Sequence, residues 1–456
     1  MLMTAINTEL FERAPIRRAV LTLAVPTVIS QLITVVYNVA DTFFIGQLGD
    51  PAQVAAATLA MPPFILLTGI ANLFGIGGAS LVSRSLGTGD PDKARQCASF
   101  SLWTGAAAAL LYGLIMMIFR PAILPAIGAG ADTYDALYRY VFWTITVGAL
   151  PTVLSAELAH LIRAEGYAKQ ASFGIGMGGV LNILLDPLFI FAFRLGITGA
   201  AIATMLSNLA AMGYFLLLLR RKHGATVISL HPRHYTLRRR IPAEILLVGF
   251  PSFVMNGMSI LSNVILNRLV ASYASEAIAG MGVAKKIDMV AFAIAGGMTQ
   301  GVLPLIGYNY AAKNAARMRA AIRTALTYSL VIACAGTVLL FAGAAPVSRL
   351  FIDDDATVAF GRHFLRVICL TCPTVSVTIM LITVFQATGR KLQPTILSLL
   401  RKGGLDVPFM FLMNALLGAG GIAWATPIAD LLAMFAALAL FIPFWRKLDL
   451  TASVTR

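Results

Sequence analysis

The stretch LAVPTVISQLITVVYNV (23–39) has a counterpart further along the chain, VGFPSFVMNGMSILSNV (248–264). Pro26 falls on Pro251 and Asn38 on Asn263, at one constant offset. With their flanks, both stretches are long and apolar enough to cross a hydrocarbon layer as helices. Outward from them the two halves keep step. SRSLGTGDPDKAR (83–95) takes the place of LIGYNYAAKNAAR (305–317), and PTVLSAELAHLIRAEG (151–166) that of PTVSVTIMLITVFQATG (373–389). Pro187 lies near the place of Pro408, and GITGAAIAT (196–204) parallels GAGGIAWAT (418–426).

Apolar runs near 20 residues recur throughout, and the chain is 58% hydrophobic but only 12% charged. Soluble domains carry about 25% charged residues. The expected fold is an all-α polytopic membrane protein with twelve transmembrane helices. They are predicted at about 17–46, 53–82, 96–119, 134–157, 168–192, 197–221, 243–271, 276–305, 318–343, 357–386, 391–413 and 419–445. A transmembrane β-barrel needs short alternating segments, which are absent. Six spans per half leave both halves in the same orientation, so the repeat is parallel, about an axis along the membrane normal. An N-lobe (1–222), a basic linker (223–241) and a C-lobe (242–456) follow. The two pseudo-symmetric six-helix bundles are expected to face a central cavity and rock around it. No signal-peptide cleavage pattern precedes the first span, which is expected to stay.

Net charge is +15, which in a soluble protein suggests nucleic acid. Here the basic residues flank the apolar runs and alternate between sides. One side holds Arg13, Arg17, Arg18, Arg84, Lys93, Arg95, Arg220, Arg221 and Arg238 to Arg240, while the other shows mainly Arg120, Arg139, Arg194 and Arg349. The positive-inside rule puts both termini and the 222–242 loop in the cytoplasm, with no nucleic-acid partner. Of the four cysteines, Cys369 and Cys372 form a CxxC inside an apolar helix with no second pair, which reads as packing.

Two aspartates lie well inside apolar helices of the first half: Asp41 in VVYNVADTFFIG (35–46) and Asp186 in VLNILLDPLFIFAF (180–193). An aspartate mid-membrane costs roughly 2.5–3.5 kcal/mol on insertion scales. Tyr37 and Asn182 each stand four residues earlier, on the same helical face. At 1.5 Å per residue, Asp41 lies about 8 Å below the outer end of its span, and Asp186 and Thr204 about 12 Å. Three helices thus place polar groups in one outer-leaflet layer. Two acids at one level in low dielectric compete for one proton or a cation, which is the physics of a coupling-ion site. Pro26 and Pro187 each free a carbonyl four residues back and are candidate hinges. Gln31, Asn38, Asn208, Asn256 and Asn263 are the amides expected along a substrate cavity.

The second half carries Lys285, Lys286, Asp288, Arg366, Asp406 and Asp430 within spans, and their mixed signs suggest internal ion pairing. Glu157, His160, Arg163 and Glu165 read as a solvated or gate-lining salt-bridge cluster at the inner 4–5 connection. IDDDAT (352–357) lacks DDxxD metal spacing and reads as a solvated acidic turn. The glycines of FGIGMGG (173–179) suggest close helix approach, and the 18 methionines suit bundle cores or an adaptable cavity.

Taken together, residues 17–447 resemble the multidrug and toxic compound extrusion (MATE) transporters. The resemblance rests on PTVISQL (26–32), YNVADTFFIGQLG (37–49), SRSLGTGDPDKAR, and NILLDPLFIF (182–191) followed by GITGAAIAT. It implies a V-shaped pair of six-helix lobes and a drug–cation antiporter, not an enzyme. The cation network it implies is Asp41 and Asp186 with Tyr37, Asn182 and Thr204, and a span-one bend that responds to protonation around Asp41. Where some relatives carry acids in span seven, this chain has Asn256, Asn263 and Asn267. The expected activity is efflux of amphipathic, often cationic drugs by alternating access. H+ is the coupling ion, Na+ the alternative, with no cofactor and no metal beyond Na+ at Asp41 and Asp186. A multi-pass monomer among the lipids of the cytoplasmic (inner) membrane is expected. A lipid-linked saccharide flippase of the same superfamily is the nearest rival. A major-facilitator carrier needs a Gly…Asp-Arg…Gly-Arg loop that SRSLGTGDPDKAR lacks, and a membrane prenyl-transferring enzyme needs paired Asp-rich motifs.

Overall fold

The computed structural model describes residues 8–222, 224–273, 275–349 and 354–453, and among them every regular element is helical. The first half contains α1 (Ile16–Gly46), α2 (Pro51–Gly87), α3 (Pro91–Ile118), α4 (Tyr134–Val147 with Ala149–Ala164, bent by 48°), α5 (Ala168–Ala192) and α6 (Ile197–Arg221). The second half contains α7 (Ile241–Val270), α8 (Ser275–Ala311), α9 (Ala315–Ala342) and α10 (Thr357–Ile368 with Thr371–Ala387, bent by 40°). α11 starts at Leu392, passes through a π-helical stretch, Leu400–Leu405, and continues from Asp406 to a break at Gly418. α12 (Gly420–Leu448) completes the set. Eleven of these are marked as spans by length and apolarity when each bent pair counts once. α11 is not, because every 18-residue stretch of it holds Arg401, Lys402 and Asp406. It packs beside α7 and α10 like the others, which gives the twelve helices expected.

The repeat legible in the sequence is physical. α4 and α10 are the two bent spans. α5 widens into a π-helix at Leu188–Ala192, as α11 does at Leu400–Leu405. Gly196 (φ 56°) precedes α6 and Gly418 (φ 62°) precedes α12, left-handed positions that favour glycine. At Gly196 a second demand applies, since a Cβ would stand 2.6 Å from Gln53 Oε1, the oxygen that caps Ile197 N at 2.8 Å. α3 is capped by Asp90, which accepts from Lys93 N at 2.8 Å, and α9 by Asn314, which accepts from Arg317 N at 3.0 Å. Side-chain caps satisfy first-turn N–H groups that have no partner within the helix.

The halves meet toward the side that carries the N-terminus and the basic connections. Ser80 Oγ donates to the Gln386 carbonyl at 2.6 Å, Arg84 pairs with Glu244 at 3.3 Å, and Tyr308 OH donates to Glu12 at 2.5 Å. Arg317 donates to the carbonyls of Phe11 and Ala14. Within the helices, Gln31 of α1 donates to Gln300 of α8 at 3.0 Å. Glycines make the approach possible. A Cβ on Gly249 would overlap the Leu73 carbonyl, and one on Gly77 the Ile245 carbonyl, locking α2 against α7. A Cβ on Gly297 would stand 2.6 Å from Val28 Cα.

Gly249→Val is therefore expected to lower the thermal midpoint of the detergent-solubilised protein. Overpacking of this kind costs about 1–3 kcal/mol. Gly257→Val, on the same helix but with open space at its Cβ position, leaves the midpoint unchanged. Equal shifts for the two would contradict the crossing.

Candidate functional site

α5 supplies Asp186 and Asn182, both buried, one turn apart. The Asn182 amide donates to Asp186 Oδ1 at 3.4 Å and to Thr204 Oγ1 of α6 at 3.3 Å, joining two helices. Pro187 follows immediately, at the change from α-helix to π-helix, where its missing N–H and ring disturb the i→i−4 ladder. α1 supplies Asp41. Its expected helper was Tyr37, but the hydroxyl that reaches Asp41 Oδ2, at 3.5 Å, is that of Tyr140 from α4. Tyr37 instead lies over Gly179 of α5 and stays within the electrostatic reach of both aspartates.

Three acceptor oxygens in this network have no hydrogen-bond partner although they are buried: Asp41 Oδ1, Asp186 Oδ2 and Asn182 Oδ1. Buried polar atoms are nearly always satisfied, so three bare acceptors in one network suit a proton or a small cation. Two cavities flank it. One of about 110 Å³ is lined by Asp41, Tyr37, Asn38, Tyr140 and Thr204. The other, of about 300 Å³, runs deeper past Asn182, Thr204 and Asn208 to His160, with Gln31 and Gln300 on its wall. Asn208 donates to Thr152 Oγ1 at 3.0 Å.

Pro26 sits inside an unbroken α1, between Ala24 and Val28, which pack on Gly301 and Gly297 of α8. A bend there would act on the contact between the halves. Gln31, Asn38 and Asn263 line a third cavity, of about 420 Å³, bounded mainly by the second half. Asn256 lines none of these three cavities; it packs beside Gly69 where α2 crosses α7.

The second-half charges are partly paired as expected. Asp406 accepts from Ser262 at 2.7 Å, from Thr426 at 3.1 Å and from Lys402 at 3.3 Å. Asp430 pairs with Arg401 at 2.6 Å. Arg366 instead donates to the Phe341 carbonyl at 3.2 Å. Lys402 and Arg401 were overlooked in the sequence, although two cations beside Gly403 and Gly404 in an apolar run are a readable signal.

The Glu157 cluster departs from expectation. α4 continues to Ala164, about two turns beyond its predicted end, so Glu157, His160 and Arg163 are buried on a helix rather than solvated in a connection. No ion pair links them among the described residues. Arg163 Nη1 meets His160 Nδ1 at 3.4 Å, and both Glu157 oxygens face the gap left by Gly105 without a hydrogen-bond partner. Glu165, in the connection after α4, accepts from Thr226 Oγ1 at 2.7 Å and Val227 N at 2.5 Å, and so ties the 222–242 loop to the first half. Of IDDDAT, Ile352 and Asp353 lie outside the described residues, and Asp354 caps the next helix through Thr357 N at 2.8 Å.

Burial pushes the Glu165 carboxyl up to about 7 from its ordinary 4.5, against the pull of the Thr226 and Val227 bonds. A raised folded-state value contributes stability that is complete below about 4.5 and lost as pH rises through about 7. Hydrogen exchange at residues 226–228 should therefore quicken between about pH 4.5 and 7 beyond the intrinsic rate, and the excess should level off above that. Glu165→Gln should remove that excess; an unchanged excess in the variant would contradict the assignment.

The MatE family model matches this chain twice, over residues 26–188 and 251–412, each match opening on one of the paired prolines. Multidrug export protein MepA of Staphylococcus aureus (strain N315) is 31% identical over 428 residues, 94% of this chain and 94% of MepA. MepA of Staphylococcus saprophyticus is equally similar, at 31% over 428 residues and 94% of each chain. A crystal structure of MATE in complex with MaL6 superposes with a TM-score of 0.91 at 23% identity, covering 97% of this chain and 98% of that one. An outward-facing conformation of a multidrug resistance MATE family transporter of the MOP superfamily gives 0.88 at 24% identity, with the same coverage. At these identities the likeness is one of fold.

Proposed function

The chain belongs to the MatE family, and on that premise we propose that it exports amphipathic, often cationic small molecules in exchange for protons. Relatives that are multidrug export proteins over 94% of their length support the substrate class. The trio of bare acceptors on Asp41, Asp186 and Asn182, beside cavities large enough for small molecules, carries the coupling-ion assignment. The substrate is moved unchanged, so no catalytic step is involved.

In the proposed cycle, the cleft open away from the basic side releases drug as a proton reaches Asp41 or Asp186. Neutralising the pair removes the reason for the layer to stay hydrated. The lobes, 1–222 and 242–456, then rock, the Gln31–Gln300 bond parts, and drug binds from the basic side as the proton leaves there. Pro26, set among the α1–α8 contacts, and Pro187, next to Asp186, are the proposed hinges. The protein acts as a monomer in the cytoplasmic membrane with both termini inside.

The test is uptake of a cationic dye into proteoliposomes whose lumen is acidified at constant sodium. Uptake that follows the pH gradient and stops with a protonophore is expected. Uptake that ignores the pH gradient and follows a sodium gradient would replace the proton by sodium.

A further inference from the structure

We infer that the second-half cavity is an anion subsite, in which Lys285 and Lys286 hold a carboxylate or similar anionic group of a zwitterionic substrate. This rests on the export reading above. The cavity of about 420 Å³ is lined by both lysines, on α8, and by Asp288, Arg401 and Lys402. Arg401 is neutralised by Asp430 and Lys402 by Asp406. Lys285 and Lys286 make no ion pair within 4.0 Å among the described residues, and Asp288 is the one acid left for the two of them. The free charge facing the cavity is thus +2 from the lysines and −1 from Asp288, a net cation.

An ammonium group this deep among helices is costly without a counter-charge, so the surplus is a standing demand for an anion. Lys285 also feels the charge of Lys402, Asp288, Asp406 and Asp430, so the five positions form one electrostatic unit. The cavity is not remote from the acidic network. Gln31 and Thr34 line both it and the 300 Å³ first-half cavity, and Asn38 lines both it and the Asp41 cavity. One face of α1 therefore separates an acidic wall from a cationic one. A molecule with a positive and a negative end fits that polarity in one orientation only, its cation toward Asp41 and its anion toward the lysines. A purely cationic substrate gains nothing from the second half.

The experiment uses two matched dyes, a xanthylium cation carrying a free benzoate and its methyl ester, titrated by fluorescence polarisation against the purified full-length protein. The wild-type protein is expected to bind the benzoate form more tightly. Lys285→Gln with Lys286→Gln should weaken the benzoate form about tenfold, the worth of one charge-assisted hydrogen bond, and leave the ester within about twofold. Lys285→Arg with Lys286→Arg should restore the preference, and Asp288→Asn should strengthen it, a gain that misfolding cannot imitate. Equal affinities for the two dyes in the wild-type protein, or equal losses in the glutamine variant, would overturn the subsite and leave the export reading standing. A wild-type protein that binds neither dye overturns both.

Discussion

Asp186→Asn is expected to uncouple export from the pH gradient while leaving the protein folded. Asp186 is fully buried, and asparagine matches its shape, so the Asn182–Thr204 bridge survives on the other side of the change. What is lost is the group that gains and loses the proton. Coupling between two ligands is typically worth 1–3 kcal/mol, so uncoupling should reduce gradient-driven transport roughly 5–150-fold. The thermal midpoint should not fall, because an amide is less costly than a carboxylate in this setting. Dye affinity at equilibrium should stay near the wild-type value. Asp50→Asn is the control: Asp50 is an N-cap, accepting from Ala52 N at 3.0 Å, and asparagine caps equally well. A variant that stays folded and still accumulates dye along the pH gradient would contradict the role given to Asp186.

The largest effect on stability is expected from Asp430→Ala. Asp430 and Arg401 are 2% and 3% exposed, and their 2.6 Å contact is the tightest ion pair among the described residues of the second half. Removing the carboxylate strands a guanidinium that cannot deprotonate, and whose Nη1 already has no partner. Breaking one side of such a pair costs about 3–5 kcal/mol. Removing both sides is much milder, since well-packed apolar replacements are often neutral. Arg401→Leu with Asp430→Leu should thus recover most of the thermal stability lost in Asp430→Ala. Additive losses in the double variant would show that the two side chains do not act as a pair.

How far the sequence carried these conclusions depends on the range of each interaction. Helix positions follow from runs of apolar residues and from caps such as Asp90 and Asn314, which act within a few residues; hence the twelve spans and the repeat were legible. The pairing of Asn182 with Asp186 was legible for the same reason, since i and i+4 share a helical face. Identical spacing misled at Tyr37, because a long aromatic side chain leans onto Gly179 of the neighbouring helix instead of returning to its own. Tyr140 could not be found, as it reaches Asp41 from 99 positions away across a tertiary contact. The Glu157 cluster was misplaced because charge was taken to mark a connection. Gly75 and Gly105 make room for His160 and Glu157 inside the bundle, a fact visible only once the helices are packed.

The most direct measurement is the ion that moves when substrate moves. Proteoliposomes carrying the wild-type protein, with a pH-sensitive dye in the lumen and no imposed gradient, would receive a cationic substrate outside. Exchange of substrate for protons predicts that the lumen turns alkaline as substrate enters, at a rate independent of sodium, and that Asp41→Asn and Asp186→Asn give no signal. Substrate entry with a steady luminal pH and a matching loss of luminal sodium would contradict proton exchange, and an undiminished pH signal in both variants would contradict the site.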